Sequence, residues 1–293
     1  MEDFQIPTEF FLPRDDVEHA LKTIASSAIV IGFTHLLLLL TLTTRNNSKS
    51  KPHKRSKDQV FKASYQITHL LVNLYFGIYA LYICVIKQHS DDVLYGNIFD
   101  KDIYRHIFGY EHYGIFGAVQ VGYNLWSLPV GILYAHENFP MIAHHISVII
   151  ICSLTATSNF GFRLHAPFLL GMFEVSSVPL ALVNFIKDHE EQLQKSAFLK
   201  DVNDKLKVMF AVLFLWIRIL LGTPHVYHTM RGAYFSMMME DGIGGITVVL
   251  RGWICVMLVG QLVLFLLQLY WASLILKGLA KVFTDKDSKE KAI

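Results

Sequence analysis

The sequence predicts an all-α fold, a polytopic transmembrane helical bundle of about seven spans. Three observations predict it. Hydrophobic residues make up 53% of the 293-residue chain and charged residues only 17%, well below the roughly 25% charge of soluble domains. Seven segments approach the roughly 20 apolar residues that cross a hydrocarbon core of about 30 Å. Lys and Arg, finally, gather in alternate connections between those segments, as the positive-inside bias requires of a multi-pass protein.

Taken in order, the apolar segments are Ile24–Thr43, Tyr65–Lys87, Tyr113–Tyr134, Met141–Thr157, Ala166–Ile186, Val208–Tyr227 and Ile254–Leu276. The stretch Gly242–Leu250 either extends the last helix or turns at its entrance. Residues 1–22 form an acidic segment without the basic start of a secretory signal; Phe4, Phe10 and Phe11 make it either an interfacial lead-in or a solvated tail. Residues 23–64 are the first span and a basic loop, residues 65–276 the main membrane domain, and residues 277–293 a Lys-rich tail. Cys84, Cys152 and Cys255 all lie in apolar runs and show no metal-ligand spacing.

Arg45, Lys49, Lys51, Lys54, Arg55, Lys57 and Lys62 follow the first span. Lys187, Lys195, Lys200, Lys205 and Lys207 join the fifth and sixth, and Lys277 to Lys291 follow the last. The opposite connections are poor in Lys and Arg, with Lys101 and Arg105 in one, Arg163 in another and Arg231 in the third. This bias predicts a lumenal amino terminus and a cytosolic carboxyl terminus. It also makes Asn46-Asn47-Ser48 a cytosolic sequon that no glycan reaches.

Polar side chains are costly in a bilayer and usually face a bundle interior or a cavity. The third span carries Gln120 and Asn124, the fourth the pair His144-His145, the fifth Glu174, the sixth Arg218. A rise of 1.5 Å per residue puts Asn124, Glu174 and Arg218 each about 15 Å from the cytosolic end, with His145 shallower at roughly 6–10 Å. Glu174 and Arg218 can neutralise each other or serve a ligand; Asn124 can orient a ligand or bridge helices. Adjacent histidines diverge by about 100° on a helix, which argues against a shared metal. His225 and His228, after Pro224 in "TPHVYH", are expected to anchor the outer interface beside Tyr227.

The pieces "MIAHHISV", "FEVSSVPLALVNF" (Phe173 to Phe185), "FLWIRILLGTPHVY" (Phe214 to Tyr227) and "GYNLW" (Gly122 to Trp126) occur in an order that resembles the TLC-domain family of polytopic membrane proteins, over about residues 60 to 276. The resemblance implies a TLC-like domain at residues 65–276. Part of that family is ceramide synthases, which join an acyl group from acyl-CoA to a sphingoid-base amine. The synthase motif has paired histidines followed by His-Asp and Ser-Asp pairs. The matching positions here read Phe173-Glu174 and Ser176-Ser177, closer to the non-synthase branch linked to lipid homeostasis.

The resemblance therefore implies lipid homeostasis: binding, sensing or handling a membrane lipid, a ceramide or fatty acyl lipid, through Asn124, Glu174, Ser177 and Arg218. Pro179 would bend the fifth helix and open room for it. The alternatives are a ceramide-synthase-like acyltransferase, with His144 and His145 catalytic and acyl-CoA as substrate, and a cargo or translocation helper. No cofactor, metal or nucleic-acid partner is expected, and a homo-oligomer is left open. Lys289 and Lys291 in the terminal "KEKAI" resemble a dilysine signal and so place the protein in the endoplasmic reticulum.

Overall fold

A computed structural model of the chain describes residues 13–48, 56–86, 113–158, 162–187, 196–238 and 248–290. The segments 1–12, 49–55, 87–112, 159–161, 188–195, 239–247 and 291–293 lie outside the described residues. With them go the lead-in aromatics, much of the basic loop, Lys101 and Arg105, most of Gly242–Leu250, and Lys291 of the tail. Among the described residues there is no strand, and six helical stretches are long and apolar enough to cross a membrane.

The first helix, α1, is Arg14–Asn47, with Asp15 and Asp16 in its first turn and Arg45 in its last, each favourable to the helix dipole. Next, α2 is Lys57–Leu81, continued by a π-helical turn Tyr82–Ile86. Its start is set by a capping box: Ser56 Oγ accepts from Gln59 N, and the Gln59 side chain accepts from Ser56 N. The third helix, α3, is Gly114–Val130, extended by the π turn Gly131–Ala135. Gln120 and Asn124 dilute its apolar character, so it is the one predicted span not among the six.

Asn138 caps α4, Phe139–Thr157, by accepting from Met141 N at 3.2 Å. A short turn at Arg163–His165 and a π turn at Phe168–Met172 lead into α5, Phe173–Lys187. Ser196 caps α6, Ala197–Leu213. From α6 the chain runs without a break through a π-helical stretch, Phe214–Leu221, into α7, Gly222–Met238. The last helix, α8, is Val248–Glu290. All seven predicted spans are therefore helices, the sixth far longer than its apolar core.

Neighbouring helices close into a ring in the order α2, α3, α4, α8, α6–α7, α5, and back to α2; α1 leans on the outside against α2 and α3. Small residues let α3 come close to α4. A Cβ added at Gly117 would sit 2.6 Å from the Cys152 carbonyl oxygen, so only glycine permits this approach. The core proper lies between α2, α3, α4 and α5, around Phe76, Phe116, Cys152 and Phe168.

His225 and His228 are not interfacial anchors. Both are buried, with 0% and 1% exposure. The His225 ring stacks on Phe168 at 4.0 Å, and its Nδ1 lies 3.0 Å from that of His165. The reason is that Pro224 does not end the helix. It falls in the first turn after the π-helical stretch, and α7 continues through Met238. Arg163, counted above among loop charges, is also buried, donating to the Thr155 and Ser158 carbonyls that close α4.

Candidate functional site: a polar intramembrane cavity

The ring encloses a cavity of about 570 Å³, a size common for small-molecule sites. Asn124, His144, His145, Glu174, Ser177 and Arg218 all line it. At the end of the bundle where α2 begins and α5 ends, its wall includes Lys62, Glu137 and Asn184; at the opposite end it is mostly apolar, with Ile151, Phe162, Val226 and Met257. Residues of α1 do not contribute.

One polar layer is built around His145. Gln120 Nε2 donates to the Leu170 carbonyl at 2.9 Å, which leaves Gln120 Oε1 to accept from Asn124 Nδ2 at 3.2 Å. Asn124 Nδ2 also donates to the Gln120 carbonyl at 2.7 Å. The Asn124 oxygen is thereby turned to His145 Nδ1 at 2.6 Å. An amide oxygen only accepts, so Nδ1 carries a proton. His145 Nε2 then lies 3.1 Å from Glu137 Oε2, an ion-pair contact rather than an aligned hydrogen bond. Both nitrogens of His145 are thus engaged.

Glu137 sits in the turn between α3 and α4, and that turn is shaped for it. His136 is left-handed at φ 52°, and Glu137 N bonds back to the Gly131 carbonyl. A Cβ at Gly131 would lie 2.7 Å from the Glu137 carboxylate. On its other side the carboxylate accepts from the Tyr65 hydroxyl at 2.8 Å. Tyr65 in turn meets Ser127 Oγ at 3.1 Å, Ser127 approaches His69 Nε2, and Tyr123 bonds His69 Nδ1. Burial alone would raise the Glu137 carboxyl. The contact and charge of His145, the Tyr65 hydroxyl and the charge of His69 outweigh it and hold the group below the ordinary carboxylate value.

The second layer is deeper and centres on Arg218. Its Nε donates to Ser176 Oγ at 2.8 Å and its Nη2 to Ser177 Oγ at 2.7 Å, both also reaching the Phe173 carbonyl. Nη1 is directed to Gln268 Oε1 at 3.4 Å, and the guanidinium lies 5.4 and 5.3 Å from the Phe173 and Phe214 ring centroids. The positions that resemble the synthase pairs, Phe173-Glu174 and Ser176-Ser177, are thus the wall that holds Arg218. Glu174 Oε2 stands 3.9 Å from Nη2, beyond hydrogen-bond reach. The carbonyl that Arg218 takes is that of Phe173, not the Val175 carbonyl whose i+4 partner is Pro179.

His144 diverges from His145 as helix geometry requires. Its ring meets Trp271 edge-on at 5.7 Å, and its buried Nδ1 has no hydrogen-bond partner among the described residues. The sequence reading did not single out Tyr65, His69, Tyr123, Glu137, Gln268 or Trp271. The signal for Glu137 was its place one residue before the Asn138-Pro140 helix start, eight residues ahead of His145.

A protein-family model described as the TLC domain matches residues 62–277, while no curated protein matches the chain. That range starts within α2 and runs into α8, so it contains the described helices of the cavity wall and leaves out α1. The match covers well over half of the chain, and on that ground this multi-pass membrane protein belongs to the TLC-domain family.

Proposed function

We propose that the protein serves membrane lipid homeostasis by binding a lipid in this cavity, in the endoplasmic reticulum, with the amino terminus lumenal and the carboxyl terminus cytosolic. The observation that carries the proposal is the cavity itself. It lies within the family domain, joins a polar middle to a mostly apolar far half, and is lined by Asn124, His144, His145, Glu174, Ser177 and Arg218. An amphiphile fits such a division: an acyl chain against Ile151, Val226 and Met257, and a polar end at the level of His144 and Glu174. The orientation rests on the Lys and Arg bias of the connections; Arg45, Lys62 and Lys187 lie toward the end of the bundle where Lys62, Glu137 and Asn184 line the cavity.

A second reading, acyl transfer from acyl-CoA, rests on His144 Nδ1. That nitrogen is buried, belongs to a residue of the cavity wall and has no hydrogen-bond partner among the described residues. Acyl transfer needs such a nitrogen as base or nucleophile. One preparation tests both. The purified protein in nanodiscs is expected to retain lipid, and a doubly apolar variant, His145→Leu with Glu174→Leu, to lose it while still inserting. Equal lipid retention by the two proteins would sink the binding site. Release of CoA that His144→Ala abolishes would establish the enzymatic reading.

A further inference from the structure

Resting on the lipid-site reading, we infer that the ligand is a lipid whose polar end carries N–H or O–H hydrogen-bond donors, received by Glu174, and not a lipid carboxylate received by Arg218. The two charged groups of the deep layer are unequal. Arg218 is 9% exposed, and its Nε and Nη2 are committed to Ser176, Ser177 and the Phe173 carbonyl of α5, with Nη1 turned to Gln268. It stands in the wall as a clamp between α6–α7 and α5. Glu174 lines the cavity with its side chain 18% exposed; it has Arg218 Nη2 as an ion-pair partner at 3.9 Å but accepts no hydrogen bond from the described residues.

A carboxylate in low dielectric needs donors, and a ligand that supplies one gains a charge-assisted hydrogen bond. A deprotonated fatty acid would instead set a second carboxylate against the first. The neighbouring Ser177 hydroxyl accepts from Arg218 and keeps its own proton to donate, one helical turn from Glu174. A hydroxyl that donates to Glu174 and accepts from Ser177 satisfies both, whereas an ammonium, with donors and no acceptor, satisfies Glu174 alone. Removing Glu174 leaves every hydrogen bond of Arg218 in place, so the neutral variants keep the clamp.

The test uses the full chain in phosphatidylcholine nanodiscs at pH 7.5, with four probes of one chain length: oleylamine, monooleoylglycerol, oleate and methyl oleate. Wild type is expected to bind at least one of the two donor lipids about tenfold or more tighter than oleate and methyl oleate. Glu174→Leu should lose that preference. Glu174→Gln separates the sources, since a neutral amide oxygen still accepts from a hydroxyl but no longer pairs with an ammonium. Oleate or methyl oleate binding as tightly as both donor lipids would overturn the inference while leaving a lipid site standing. So would a Glu174→Leu protein that keeps the preference. Failure of all four probes to bind wild type would overturn the lipid-site reading and this inference together.

Discussion

His145 shows how little of a residue's role lies in its own side chain. Its ring is fixed by Asn124 on one nitrogen and Glu137 on the other, and Asn124 is itself oriented by Gln120 and the Leu170 carbonyl. Removing the charge of Glu137 leaves the imidazole facing a neutral group. Glu137→Gln is expected to cost about 1–3 kcal/mol of stability at neutral pH, read by thermal unfolding in detergent. The pH dependence follows from the depressed Glu137 carboxyl. A group held below its ordinary value stabilises the fold fully above the ordinary carboxylate range, and the contribution is lost as pH falls through the folded value. Wild type should therefore lose more stability than Glu137→Gln on acidification from pH 7 to below pH 4. Parallel curves for the two proteins would show that Glu137 does not carry this linkage.

Among the elements, the π turn Gly131–Ala135 and the tight connection to α4 do for Glu137 what no single residue could. They deliver a carboxylate from outside a helix into the wall of the cavity. Gly131→Ala adds a methyl where the carboxylate sits, 2.7 Å from the new Cβ. The carboxylate tip must move, at a cost of about 1–2 kcal/mol, and the loss should mimic Glu137→Gln. The two substitutions combined should cost less than the sum of their single effects, measured by a double-mutant cycle. Full additivity would mean that the glycine acts elsewhere. The predicted spans begin at Tyr65 and Met141, inside helices that Ser56 and Asn138 cap earlier, because an apolar count does not register a polar first turn. Pro224 misled for a different reason: proline normally ends a helix in the interior, but at the end of a π-helical stretch its missing N–H breaks nothing further along, and α7 runs on.

At the level of the molecule, the spans and the deep polar side chains were legible because a bilayer penalises polarity residue by residue, so Asn124, Glu174 and Arg218 stand out singly. The Glu174–Arg218 ion pair, 3.9 Å apart, was legible as one of two open roles; what was not legible is the hydrogen bonding. Asn124 and Glu174 share a depth, yet Asn124 meets His145 and Arg218 meets the two serines. Depth along a helix says nothing of rotation about it, and rotation here is set by π turns that leave no mark in the periodicity. Orientation remains a prediction with a direct check. Native Asn46, at the end of α1, should stay unmodified in microsomes, whereas an acceptor sequon added ahead of Arg14 should gain a glycan. Modification at Asn46 would invert the bundle.

The π-helical stretch Phe214–Leu221 carries one more residue than an α-helix of the same length. A π-helical stretch holds a residue that a shorter α-helix would not need, and that residue can be taken out. Deleting Leu220, which is 57% exposed, should let the stretch relax to α-helix while the flanking turns keep their facing, so His225 stays against Phe168 and the protein inserts and remains monodisperse. Deleting Ile150 from π-free α4 offers no slack and should turn everything on one side of the cut by about 100°. The sixth span would then be a place where this chain tolerates a change of length, and Arg218, within its π-helical stretch, the side chain whose aim that change would reset.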